Sequence, residues 1–176
     1  MKINYELVKE DYLEFNLHHM AKSKSIKRGL FIERYIISIM FLLVPFMLRG
    51  RNTLPAPVFY GIFIGIFVIW VALFPKYFWY NIKKRLEKML NDEKYKGVFG
   101  PQNLSITDFG IFEFENSEKS KVTMKDVEKV DVTDKGIYIY ISSANAYVIP
   151  ARAFKSLSEK HELIDLLKKH CKVCEE

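Results

Sequence analysis

Residues 54–74 read LPAPVFYGIFIGIFVIWVALF, and none of these 21 side chains carries a charge. At 1.5 Å per residue, a helix over this stretch would extend about 30 Å, the thickness of the hydrocarbon core of a bilayer. A water-soluble helix of this length needs a polar face, and residues 58–74 have none. The stretch therefore predicts a membrane-spanning helix.

A second apolar run lies upstream, at residues 30–48. Glu33 and Arg34 lie near its start, and we expect both at the membrane interface, with Arg34 extending toward the lipid headgroups. The alternative is a buried charge pair on an ion path, which a single charged layer at one end does not favour. Residues 49–53 (RGRNT) form a polar turn between the runs, so the two runs predict a transmembrane hairpin.

Positive charge is concentrated around the two apolar runs. Residues 1–96 carry 16 Lys and Arg against 8 Asp and Glu, whereas residues 97–176 carry 11 against 13. The flanks before the first run and after the second are richer in Lys and Arg than the connecting turn, which predicts both termini in the cytoplasm. The net charge of the C-terminal part is mildly negative, which argues against nucleic acid as a partner.

Beyond the second run, the periodicity predicts a basic helix over residues 81–95. Four of its cations are candidate contacts for anionic membrane lipid: Lys83, Lys84, Arg85 and Lys88. Such contacts contribute about 1 kcal/mol per residue near a membrane surface. The alternative is that these cations only set the orientation. Three aromatic residues are predicted anchors at the inner headgroup level: Tyr77, Trp79 and Tyr80.

Gly61 and Gly65 are four residues apart on the second predicted span, a spacing that lets another helix backbone approach closely. We favour packing of these glycines against the first span. The alternative is a seam between two copies, which would make a homo-oligomer through the transmembrane helices.

The segments outside the membrane have their own periodicities. Alternation predicts a short strand at residues 3–8, and an apolar stripe predicts an amphipathic helix at residues 10–21. From residue 102 the period becomes two, with turns at residues 108–110 and 134–136. We expect one core face in the strand at residues 137–141, and an outer face for Glu113 and Glu115.

About six short strands in this region predict a small antiparallel sheet or half-open barrel. Ser156 with Glu159 three residues later is a capping box, which predicts the start of a closing helix. The predicted organisation is a cytoplasmic strand and helix (1–29), a transmembrane hairpin (30–75, with spans 30–48 and 55–75), a basic helix (76–97) and an α+β domain (98–176).

In this order, the segments resemble the YcxB-like family of small bacterial membrane proteins. The resemblance rests on residues 3–15 (INYELVKEDYLEF), residues 104–111 (LSITDFGI) and residues 149–154 (IPARAF) around a two-span hairpin. It implies a multi-pass protein of the bacterial cytoplasmic membrane with a pleckstrin-homology-like (PH-like) C-terminal domain. It implies no activity or catalytic residue. We interpret Arg152 in the last motif as structural, with ligand binding as the alternative.

No arrangement of residues typical of an active site is found in the sequence. The segment from His161 to Asp165 lacks the second histidine of a zinc-protease helix. The soft ligands near the C-terminus are too few for a four-coordinate zinc site: His170, Cys171 and Cys174. We therefore expect no catalytic residue, no metal and no cofactor.

Three functional hypotheses follow. We favour a non-enzymatic integral membrane protein whose cytoplasmic PH-like domain binds a partner protein at the inner leaflet. The second hypothesis is a membrane-stress sensor, or an immunity-type protein against a membrane-active peptide. The third is a membrane enzyme whose site has no familiar motif.

Overall fold

A computed structural model describes residues 1–48, 55–115, 118–142 and 145–175, with the side chains of residue 96 and residues 114–120 left aside. The predicted turn at residues 49–53 lies outside the described residues. The chain forms two compact units, one built from Met1–Phe15 with Met89–Glu176 and the other from Asn16–Lys88. The first unit thus combines the N-terminal strand with the predicted C-terminal domain. We call it the sheet unit, and the second the helical unit.

The helical unit contains the two apolar runs. Helix α1 (Lys9–Lys22) leads into it and is followed by α2 (Lys24–Phe31), a π-helical turn (Ile32–Ile36) and α3 (Ile37–Met47). The second run lies in α4 (Ala56–Leu90), a single helix of 35 residues. Both Lys24–Met47 and α4 are long and apolar enough to cross a membrane, and only 11% and 6% of their most apolar windows are buried. This low burial distinguishes them from the core helix of a soluble protein.

The sheet unit begins with β1 (Lys2–Leu7), which pairs antiparallel with β2 (Gly100–Thr107). Strands β3 (Gly110–Glu115) and β4 (Glu118–Thr123) continue the first sheet in the order β1-β2-β3-β4. The hairpin at residues 104–115 is confirmed. Because β1 precedes the apolar runs and β2 follows them, the helical unit lies within the connection between two paired strands.

The second sheet has the order β7-β6-β5-β8. It contains β5 (Lys129–Val132), β6 (Gly136–Tyr140), β7 (Ala146–Pro150) and β8 (Val173–Glu175). Helix α5 (Leu157–Lys168) follows β7, and the capping box is confirmed because Ser156 Oγ accepts from the Glu159 amide at 3.2 Å. The main core lies between the inner faces of the two sheets and includes Leu163 and Leu167 of α5.

Three expectations are corrected by the structure. Strand β8 pairs parallel with β5, so the second sheet is mixed and not purely antiparallel. Strand β6 is buried on both faces, because Tyr138 and Tyr140 pack against Phe15 of α1 in a second apolar cluster. The basic helix ends at Leu90 and not at residue 95, since Asp92 caps a separate 3₁₀ turn at Glu93–Val98.

The same turn occurs once in each sheet. Thr107 Oγ1 donates to the Gly110 carbonyl in the first sheet, and Thr133 Oγ1 donates to the Gly136 carbonyl in the second. A Cβ atom on either glycine would lie 2.3 Å from a carbonyl oxygen of the neighbouring strand. Both glycines are therefore required by close approach of two backbones.

Candidate functional site

One groove of the sheet unit is lined by residues of both sheets, chiefly from strands β1 and β7. It has a volume of about 430 Å³. Six of its lining residues carry polar or aromatic groups: Tyr5, Tyr12, Gln102, Glu113, Asn145 and Tyr147. We call this site the β1/β7 groove.

Strand register explains why polar side chains meet at this point. Glu113 lies directly opposite Leu104, and Tyr5 lies opposite Gln102. Directly paired residues of antiparallel strands share a face, and Leu104 belongs to the main core. Glu113 therefore lies at the end of the inner face. The expectation that a charged outer face accounts for Glu113 was wrong.

The other side of the groove comes from the second sheet. Tyr147 is paired with Ile139, a residue of the main core, so its ring also lies on an inner face. The Tyr5 hydroxyl donates to the Val148 carbonyl at 2.8 Å and thereby joins the edges of the two sheets. This hydrogen bond holds the Tyr5 ring in the groove.

Electrostatics in the groove are dominated by Glu113, the charged side chain among the described lining residues. Burial raises the pKa of Tyr5, and the negative charges of Glu113 and Asp11 raise it further. Tyr5 therefore stays protonated and keeps its donor to Val148. The groove is lined by aromatic rings, two amide side chains and one carboxylate.

Arg152 has a structural role at the other side of β1. Its guanidinium forms hydrogen bonds with both carboxylate oxygens of Asp11, and Nη2 also donates to the Glu6 carbonyl at 2.8 Å. Asp11 in turn accepts from the Val8 amide at 3.0 Å and caps the start of α1. Arg152 thus connects the turn after β7 to the junction of β1 and α1, which supports the structural interpretation.

In the helical unit, Arg34 contacts the other helix, and its extension toward lipid headgroups stays a prediction. Its Nε donates to the Val71 carbonyl at 3.0 Å. This carbonyl would normally accept from residue 75, which is Pro75 and has no N–H. The sequence did not suggest this contact, although a proline four residues after Val71 marks the carbonyl that lacks its helical donor.

The predicted lipid-contacting cations lie together on α4. Lys83, Lys84, Arg85 and Lys88 are all exposed, and Lys83 forms an i,i+4 ion pair with Glu87 at 3.8 Å. Lipid contact stays a prediction. Tyr77 and Tyr80 are exposed and Trp79 is half-buried, and their anchoring role also stays a prediction.

Gly61 and Gly65 lie in open space. A Cβ atom at either position would meet nothing within 4 Å, so neither glycine is in close contact with another helix of this chain within the described residues. Their role in helix packing stays a prediction, now directed at contact between copies. His170 lies near Asp108, and the described residues contain no group of three or more potential metal ligands.

The sequence model of the family described as YcxB-like protein matches residues 106–167. No curated protein and no solved structure matches the chain significantly. The matched range is 62 of the 176 residues and runs from β2 to the last turn of α5, so it contains Glu113, Tyr147 and Arg152. The resemblance to the YcxB-like family is thus confirmed over residues 106–167, which are similar to the family's sequence model.

Proposed function

We propose that this chain is a non-enzymatic integral membrane protein whose sheet unit is a PH-like domain that binds a partner protein at the inner leaflet. The β1/β7 groove is the observation that carries the binding function. Its lining combines partly exposed aromatic surface with hydrogen-bonding side chains, the mixture typical of protein-recognition sites.

Membrane insertion is supported by the two long apolar helices with low burial. Strand pairing supports the topology. Because β1 pairs with β2, the segments before and after the apolar runs belong to one folded body on one side of a membrane. The chain between them then crosses an even number of times, and two apolar helices meet this condition. The positive flanks favour the cytoplasmic side.

The PH-like plan is supported by the arrangement of the sheet unit. Two four-stranded sheets enclose one core, and a single C-terminal helix packs against it. In this plan the transmembrane hairpin is an insertion between the first two strands. The sensor hypothesis draws on the same feature, because both ends of the hairpin connect to paired strands.

Site-specific photo-crosslinking tests the binding function. A photoreactive phenylalanine replaces Tyr147 in the groove, with the exposed Leu157 of α5 as the matched control position. We expect one stoichiometric protein adduct from position 147 and none from position 157 in native membranes. Equal labelling at both positions, or no adduct from position 147, contradicts the proposal.

Reporter fusions test the location independently. A reporter active only in the cytoplasm should work at either terminus, and one active only outside should fail at both. A crosslinked protein that appears only when a membrane-active peptide is present would favour the sensor hypothesis.

A further inference from the structure

We propose that the β1/β7 groove recognises a basic side chain, Lys or Arg, presented by the partner protein. This inference rests on the proposed protein-binding function and specifies the chemistry of the partner. Its basis is a cluster of aromatic rings beside one carboxylate, the combination that binds organic cations in proteins.

Three tyrosines line the groove: Tyr5, Tyr12 and Tyr147. The face of each ring carries the negative part of the aromatic quadrupole, which attracts a cation within about 6 Å of the ring centroid. Tyr5 is held by its hydrogen bond to Val148, and Tyr12 packs edge-on against Phe99 at 6.2 Å between centroids. Two of the three rings are therefore fixed before a ligand arrives, which lowers the entropic cost of binding.

The charge of the groove is complementary to a cation. Glu113 supplies a carboxylate at the end of the inner face, and the described lining side chains include no Lys or Arg. Residues 97–176 also carry a net negative charge, 11 basic against 13 acidic residues. An anionic ligand would be repelled by the Glu113 carboxylate and by the negative faces of the aromatic rings.

The edge of β7 favours a protein over a lipid headgroup. The Ile141 amide donates to the Asn145 carbonyl at 3.0 Å, so these two residues form a hydrogen-bonded pair at the end of the β6–β7 ladder. Because hydrogen-bonded and non-hydrogen-bonded pairs alternate along an antiparallel ladder, the backbone N–H and C=O groups of Ala146 and Val148 point away from β6. Tyr5 uses the Val148 carbonyl. Ala146 and Asn145 line the same groove, and we expect the Ala146 backbone and the Asn145 side-chain amide to pair with a peptide backbone.

Binding of small probes to the full-length chain in detergent tests the inference. The probes are three capped tripeptides: Ac-Gly-Lys-Gly-NH₂, Ac-Gly-Arg-Gly-NH₂ and Ac-Gly-Nle-Gly-NH₂. NMR of labelled tyrosine measures the affinity of the chain for each peptide. Norleucine keeps the aliphatic stem of lysine and removes its charge. We expect the lysine and arginine peptides to bind with millimolar affinity, and the norleucine peptide about tenfold more weakly.

Variants locate the binding. Glu113→Gln should weaken the lysine peptide about tenfold, whereas Glu162→Gln, on the exposed face of α5, should have no effect. Tyr147→Leu removes one of the three aromatic rings of the groove and should lose binding. Thermal unfolding of each variant shows whether it is folded.

Equal affinity for the lysine and norleucine peptides overturns the inference, as does unchanged binding by Glu113→Gln. Tighter binding of phosphocholine than of either basic peptide also overturns it, because the site would then favour a lipid headgroup. A crosslinked partner at position 147 that is retained by Glu113→Gln would leave the proposed function standing and contradict this inference alone.

Discussion

Arg34 donates a hydrogen bond from Nε to the backbone carbonyl of Val71, 37 residues away, at 3.0 Å. The carbonyl lacks its helical donor because residue 75 is a proline. Arg34 itself lies in the π-helical turn at Ile32–Ile36, a local widening that often marks functional positions in helices. A charged side chain in one apolar run thus donates the hydrogen bond that the Val71 carbonyl of the other helix lacks.

This relationship predicts energetic coupling between Arg34 and Pro75. Arg34→Met should destabilise the helical unit by about 1–3 kcal/mol, because the Val71 carbonyl then has neither a helical donor nor the Arg34 Nε–H. In a Pro75→Ala background the same substitution should cost about 1 kcal/mol less, since an alanine at this position restores the missing N–H. Both tryptophans of the chain, Trp70 and Trp79, lie in α4, so tryptophan fluorescence during denaturation in detergent reports this unit.

Arg28→Met is the matched control, because Arg28 is an exposed arginine in α2. It should change stability by less than about 0.5 kcal/mol. If Arg34→Met costs the same in the wild-type and Pro75→Ala backgrounds, the hydrogen bond to Val71 does not carry the stabilisation.

Arg152→Ala should destabilise the sheet unit by about 1–2 kcal/mol. The substitution removes both the bidentate pair with Asp11 and the hydrogen bond to the Glu6 carbonyl. Arg152→Lys should recover only part of the loss, because lysine cannot form the planar two-point contact. The measurement is thermal unfolding followed by tyrosine circular dichroism.

Lys135→Ala is the control for this prediction. Lys135 and Glu14 form an exposed ion pair at 3.5 Å, and such pairs contribute about 0–1 kcal/mol. A loss for Lys135→Ala equal to that for Arg152→Ala would show that the Asp11 contact has no special weight.

Local sequence signals predicted the elements of the sheet unit better than its assembly. The capping box at Ser156 and the turn at residues 108–110 depend on neighbouring residues, and both are present in the structure. The pairing of Lys2–Leu7 with Gly100–Thr107 could not be predicted from local sequence, because the two long apolar helices lie between these strands in the chain.

The candidate groove was missed for a related reason. Alternation assigns Glu113 to one of two faces, and the sequence does not show which of these is the core side at the end of a strand. The second buried face of β6 depends on Phe15, a residue of a distant helix. β8 is only three residues long and pairs in parallel, so its hydrophobic pattern is too short to indicate a strand.

Gly110→Ala and Gly136→Ala should each destabilise the sheet unit by about 2–4 kcal/mol. The added Cβ would approach the Val122 carbonyl oxygen or the Ile149 carbonyl oxygen to 2.3 Å, so the paired strands must separate. Gly97→Ala is the control, because a Cβ there meets nothing within 4 Å. Chemical denaturation measures the three variants, and equal losses at Gly97 and Gly110 would contradict the close-approach argument.

The hydrogen bond between Tyr5 and Val148 predicts a pH dependence. The pKa of Tyr5 is raised in the folded state, chiefly by burial, so the unfolded chain releases this proton at a lower pH than the folded chain does. The contribution of Tyr5 to stability is therefore fully present below the ordinary tyrosine pKa of about 10 and is lost as the pH rises above it.

Tyr5→Phe isolates this contribution, because phenylalanine keeps the ring and removes both the donor and the titrating group. The difference in unfolding free energy between wild type and Tyr5→Phe should be constant from about pH 7 to pH 9 and should shrink above about pH 10. Burial also raises the pKa values of Tyr138 and Tyr140, so both proteins should lose stability in alkali, and only the difference reports Tyr5. A difference that does not change with pH would mean that the Tyr5 hydroxyl is not buried against Val148 in the folded protein.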